Sequence, residues 1–125
     1  MWLERTELLL GSEKLDILRN ANVLVVGVGG VGAYAAEMIV RAGVGHITIA
    51  DADKVTESNI NRQLVALHST IGREKCDILA ERLRDINPDI ELTIVNRFIK
   101  DDIYKLHYMF LHPNLFPKLL LWHLQ

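Results

Sequence analysis

Disulfides are the first thing this chain does without. Cys76 is its one cysteine, so no internal bridge can form, and a reducing compartment fits best. Long apolar runs are missing as well: no stretch reaches the roughly 18 residues of a membrane span. Residues 1–20 alternate charge with leucine and lack the apolar core and cleavage site of a signal peptide. The expected location is therefore cytoplasmic, with no membrane partner. No charge sign dominates either. A net charge of -2 excludes an overall basic footprint for nucleic acid and leaves only a local patch open. What remains is ordinary globular composition, 50% hydrophobic and 24% charged, in 125 residues, enough for one small domain.

Elements can be read along most of that length. Residues 3–10 and 12–20 read as short amphipathic helical pieces broken at Gly11, with Ser12 able to cap the second. The run Asn22-Val23-Leu24-Val25-Val26 is continuous, apolar and β-branched, which suits a strand buried on both faces of a parallel sheet. Residues 30–42 carry Val31, Ala35, Ile39 and Ala42 at helical spacing before Gly43. Residues 46–51 form a second strand, and a polar loop follows. Residues 72–86 form a strong helix whose mainly apolar face holds Ile78, Leu79, Arg82, Leu83 and Ile86. Asn87-Pro88 ends it, and residues 90–96 are a third strand. Strand, helix, strand, helix, strand with short links predicts an α/β fold, a Rossmann-like doubly wound and mainly parallel sheet, of which the N-terminal half is present.

Chemistry concentrates in two places. Gly27, Gly29 and Gly32 make a G-x-G-x-x-G directly after a strand and at the start of a helix. The first allows the tight turn, the second lets phosphate approach the backbone, and the third lets helix and strand pack closely. The helix N-terminus adds free N–H groups and a partial positive charge. The alternative is that the glycines serve packing alone. Asp51, at the end of the second strand and about 20 residues on, can accept hydrogen bonds from ribose hydroxyls, as NAD and ATP sites both require. Asp53 suits a turn or cap better.

The loop after Asp51 separates those two ligands. Arg62 is a planar, permanent charge matched to phosphate oxygens, and Lys75 is a point charge able to fold back toward the carboxyl edge of the sheet. Asn59 and Gln63 can orient phosphate by hydrogen bonds. A diphosphate along a glycine loop is largely served by backbone N–H groups. Extra cations suit a triphosphate whose pyrophosphate departs, where one stabilising group is often worth about 100- to 1000-fold in rate. The bland reading of the same loop is a solvated surface.

Residues 23–63, followed by Thr70-Ile71-Gly72-Arg73-Glu74-Lys75, resemble the ThiF/MoeB/HesA family, relatives of the ubiquitin-activating enzymes. The resemblance covers about residues 3–100. It implies adenylation of a carboxylate with ATP and magnesium by a homodimer. It implies that Gly29 and Gly30 line the nucleotide, that Asp51 binds ribose, and that Asn59, Arg62, Gln63 and Lys75 surround the phosphates. Arg5 matches an arginine that relatives supply across the dimer interface. Within the family, Glu4–Gly11 and residues 59–99 are most similar to the tRNA threonylcarbamoyladenosine dehydratases, which implies tRNA as substrate and a possible sulfur-transfer partner protein. Two alternatives stand beside this: adenylation of a ubiquitin-like or sulfur-carrier protein C-terminus, and an NAD-binding oxidoreductase fragment.

The composition changes after Asp102. Residues 103–125 contain no Asp, Glu or Arg, yet hold Tyr104, Tyr108, Phe110, Phe116 and Trp122. The family's metal-holding aspartate has no match there, since Asp101 and Asp102 come too early. The expected division is residues 1–102 as the N-terminal part of an ATP-binding adenylation domain and 103–125 as an atypical tail outside the family fold, from a frameshift or a truncated gene. Weak or absent activity and no metal ligands in the chain are the corresponding expectations. Cys76 is expected to be packed and unreactive. Glu37 and Arg41 are expected to be a solvent-facing i,i+4 pair.

Overall fold

The computed structural model describes residues 1–97 and, as backbone, residues 119–123. Helices α1 (Glu4–Leu10) and α2 (Ser12–Arg19) come first. Strand β1 (Asn22–Val26), helix α3 (Gly32–Arg41), strand β2 (His46–Ala50), helix α4 (Lys75–Ile86) and strand β3 (Glu91–Val95) follow in order. Strand β4 (Leu119–His123) completes the described elements. The break between α1 and α2 falls at Gly11, whose φ of 86° lies where only glycine is unstrained. Gly11 is also the N-cap of α2, so Ser12 sits inside the helix and makes no capping bond, unlike the sequence expectation.

All strand pairs are parallel, in the order β3-β2-β1-β4. Val23 pairs with Ile47 and Val25 with Ile49, so their side chains share one face. That face packs with Ala33, Ala36 and Val40 of α3 and Leu79, Ala80 and Leu83 of α4 into one buried cluster. Leu24, pointing the other way, is also buried, which bears out β1 as a strand covered on both faces. β3 lies at one edge and is only half-buried. The Rossmann-like half-fold expected from the pattern is the one observed. The backbone of Leu119–His123 runs parallel to β1 as the fourth sheet strand. Residues 98–118, including Asp101 and Asp102, lie outside the described residues.

Two details differ on the helices. α4 starts at Lys75, because Gly72 turns with a φ of 85° and residues 72–74 pair back with residues 54–55. Arg82 leaves the apolar face and bonds Glu37 of α3. Glu37 is only 5% exposed, so it is not a solvent-facing partner of Arg41 but a buried carboxylate held by two arginines.

Candidate functional site

The carboxyl ends of β1 and β2 open into a cleft of about 370 Å³. This is where parallel α/β sheets hold ligands, and the volume is within the range of small-molecule sites. The glycine loop forms one wall. Gly27 has φ 86°, and its N–H donates to Ala50 O at 2.7 Å, which ties the turn to β2. Gly27, Gly29 and Gly30 line the cleft, whereas Gly32 lies behind it. A Cβ on Gly32 would stand 1.7 Å from Gly27 O, so this position serves close helix–strand packing.

Asp51 forms the floor. One carboxylate oxygen accepts the Val28 N–H at 2.9 Å and the other the Asp53 N–H at 2.8 Å. The side chain therefore fixes both the glycine loop and its own turn while facing the cleft. Asp53, assigned to a turn by its sequence position, lines the cleft as well.

The polar loop supplies the opposite wall. Its neck is closed by backbone bonds from Val55 N–H to Arg73 O, Gly72 N–H to Val55 O and Lys75 N–H to Asp53 O. Val55, Val65 and Ala66 are buried beneath it, so this is a packed Ω-loop and not a solvated one. Two short 3₁₀ turns, Glu57–Asn59 and His68–Thr70, shape it. Arg62, Gln63 and Lys75 reach the cleft. Lys75 opens α4, is 5% exposed, and has Asp53 Oδ2 at 3.9 Å. Arg62 is exposed and folds back, donating to Ser58 O at 2.9 Å and Asn61 Oδ1 at 3.0 Å. Gln63 is buried beside Gly29, and its Oε1 has no hydrogen-bond partner among the described residues.

Of the residues expected at the nucleotide, Gly32 and Asn59 do not line the cleft, and Arg5, expected to act across a dimer interface, does not line that of its own chain. Asn59 is buried, and its Oδ1 accepts the Thr56 N–H at 3.0 Å. Arg5 is an exposed residue of α1 and does not line the cleft. Val31 and Asp53 line it without having been expected. Asp53 had a legible signal, its place two residues beyond Asp51; Val31 had none.

The cleft fits a nucleotide. It offers the open backbone of Gly29 and Gly30, two cations, the Asp51 carboxylate and a buried amide oxygen without a partner among the described residues. Magnesium carried by ATP would need only one or two protein carboxylates beside the phosphate oxygens. Among the described residues no three His, Cys, Asp or Glu side chains converge as a metal set, and Asp53 already faces the Lys75 ammonium. Cys76, next to Lys75, is buried. Desolvation, with the charges of Asp51 and Asp77, pushes its thiol from 9.0 up to about 12, which makes it inert as a nucleophile at neutral pH.

Comparison with known proteins bears on the whole arrangement. A model described as the ThiF family matches residues 3–111. The tRNA threonylcarbamoyladenosine dehydratase of Bacillus subtilis is 46% identical over 101 residues, covering 81% of this chain and 40% of that protein. The molybdopterin-synthase adenylyltransferase of Salmonella typhimurium is 41% identical over 90 residues, covering 72% and 36%. The crystal structure of E. coli tRNA N6-threonylcarbamoyladenosine dehydratase in complex with ATP superposes with a TM-score of 0.83 at 36% identity, over 97% of this chain and 48% of that one. The chain thus spans about two fifths of the length of these curated relatives.

Proposed function

The chain belongs to the ThiF family, and from that premise we propose that it binds ATP in the β1–β2 cleft and carries the phosphate-facing part of a carboxylate-adenylating site. The observation that carries the reading is Lys75, a nearly buried ammonium at a glycine-walled cleft with one distant counter-charge among the described residues. An ammonium is expensive to bury unpaired, and a polyphosphate would supply the missing charge. Arg62 is exposed and held only by neutral oxygens, so it is free to turn onto the same anion.

In the proposed reaction a substrate carboxylate oxygen attacks the α-phosphorus of ATP. The bond from that phosphorus to the bridging oxygen breaks, and pyrophosphate leaves with the electron pair. Lys75 and Arg62 stabilise the charge that develops on it. The substrate brings its own nucleophile, so the inert Cys76 is not needed. The substrate proposed is the threonylcarbamoyl carboxylate on a tRNA adenosine. Its acyl-adenylate closes to a ring and releases AMP, which carries away one carboxylate oxygen. The identity to tRNA threonylcarbamoyladenosine dehydratases supports this choice. A carrier-protein C-terminus is the second reading, supported by the molybdopterin-synthase adenylyltransferase relatives. The NAD reading has no such support.

Calorimetric titration with ATP and magnesium tests the pocket. The parent chain is expected to bind saturably, Lys75→Ala about tenfold or more weakly, and Asp51→Ala weakly because it also releases the glycine loop. Equal heats for all three would refute the assignment.

A further inference from the structure

Helix α3 has one flank that the core does not use. Ala33, Ala36 and Val40 pack with the sheet, and Glu37 reaches α4. Val31, Tyr34, Met38 and Arg41, spaced three and four apart, fall on one outer stripe of the same helix. All four are about half-exposed. The stripe begins at the cleft, which Val31 lines, and runs about 15 Å along the helix to Arg41. Arg82 of α4 joins it at that end. Arg41 and Arg82 bond the same Glu37 oxygen, at 3.5 and 2.5 Å, so two cations share one anion. Both guanidiniums are half-exposed, and each has further N–H groups to offer an acceptor.

An aromatic ring leading out of a nucleotide cleft toward paired guanidiniums suits single-stranded nucleic acid. Bases stack on rings, and phosphates take guanidinium N–H groups. The whole chain carries a net charge of -2, so any affinity for RNA has to come from a local patch of this kind. We propose that this flank of α3 is an RNA-docking surface. Tyr34 stacks a base next to the adenosine whose threonylcarbamoyl group enters the cleft, and Arg41 and Arg82 hold a phosphate of the same strand. The inference rests on the tRNA reading above and adds the surface that would receive the RNA.

The experiment uses the full 125-residue chain and a fluorescently labelled RNA stem-loop with adenosine in its loop, read by anisotropy at several salt concentrations. Tyr34→Phe keeps the ring and is expected to bind within about twofold of the parent. Tyr34→Leu keeps apolar area without a π-face and is expected to bind about tenfold more weakly. Arg41→Gln is expected to weaken binding and to lower the slope of log affinity against log salt by about one phosphate contact. ATP affinity by calorimetry is expected to match the parent in all three, since neither side chain lines the cleft. Equal RNA affinity in Tyr34→Leu and the parent overturns the inference. So does a halved mass of Met38→Glu by light scattering, which would make the flank a contact between copies of this chain. A parent that binds ATP but not the stem-loop overturns the docking surface and leaves the adenylation reading standing. A parent that binds the stem-loop but not ATP does the reverse. Should Tyr34→Leu lose its circular dichroism signal, the salt slope of Arg41→Gln decides.

Discussion

Lys75 and Cys76 sit side by side at the start of α4 and meet opposite fates. The Lys75 side chain places its charge at the cleft, with Asp53 Oδ2 as a distant counter-charge at 3.9 Å. The Cys76 sulfur turns inward, 3.8 Å from Asp51 O, where burial keeps it protonated. The sign of the resulting pH dependence follows from that raised value. The folded chain retains a proton that the unfolded chain releases above about 9, so this contribution to stability is intact below pH 9 and is lost as pH rises toward about 12. The urea midpoint of the parent should fall more between pH 8 and pH 10 than that of Cys76→Ala. Parallel falls would mean that the thiol is not the group responsible. Asp51 and Asn59 illustrate how far a residue's type leaves its use open. Both are polar loop residues of a nucleotide-binding pattern, and both spend side-chain oxygens on backbone N–H groups.

At the scale of elements, α3 and α4 pack on one face of the sheet and are joined by Glu37. Its carboxylate accepts from Arg82 Nε at 2.5 Å and pairs with Arg41 at 3.5 Å. Opening the pair from one side leaves a buried charge with a single distant partner. Arg82→Ala should destabilise the chain by about 1–2 kcal/mol, less than the roughly 3–5 of a fully buried pair because Arg82 is half-exposed. Glu37→Gln together with Arg82→Ala should recover part of that loss, and chemical denaturation of the single and double variants would reveal a failure to do so. Helical spacing makes Glu37 and Arg41 legible as neighbours. It says nothing of α4, because which helix covers which side chain depends on sheet order, and no local pattern encodes that. The Ω-loop resists a local reading for the same reason: Val55, Val65 and Ala66 are isolated apolar residues in a polar sequence, and only closure of the loop neck buries them.

The whole molecule exposes apolar surface where α1 leads away from the core. Leu8 and Leu9 are 81% and 82% exposed, and helical spacing puts both on the side of Arg5. The homodimer that the family resemblance implies would cover them and would bring Arg5 toward a second copy, in keeping with its distance from the cleft of its own chain. On that proposal, the double variant Leu8→Glu, Leu9→Glu should halve the mass seen by light scattering while circular dichroism stays unchanged. A monomeric parent at tens of micromolar, roughly the range of a weak dimer, would refute it. Among the described residues no helix is long and apolar enough to cross a membrane.

Local pattern carries most of the architecture. β-branched runs, helical spacing and the glycine triplet act over a few residues, so β1, β2, β3, the helices and the placing of Gly27, Gly29, Asp51, Arg62, Gln63 and Lys75 can be anticipated from their order alone. What required the folded chain was every relation across distance: Asp53 facing Lys75, Arg82 reaching Glu37, Leu119–His123 beside β1, and Asn59 turned into its own loop. These follow from the geometry of sheet order and loop closure. Hydrogen-bonding groups there choose among several partners that the sequence offers equally, and the choice goes to whichever partner the packed core brings within about 3 Å.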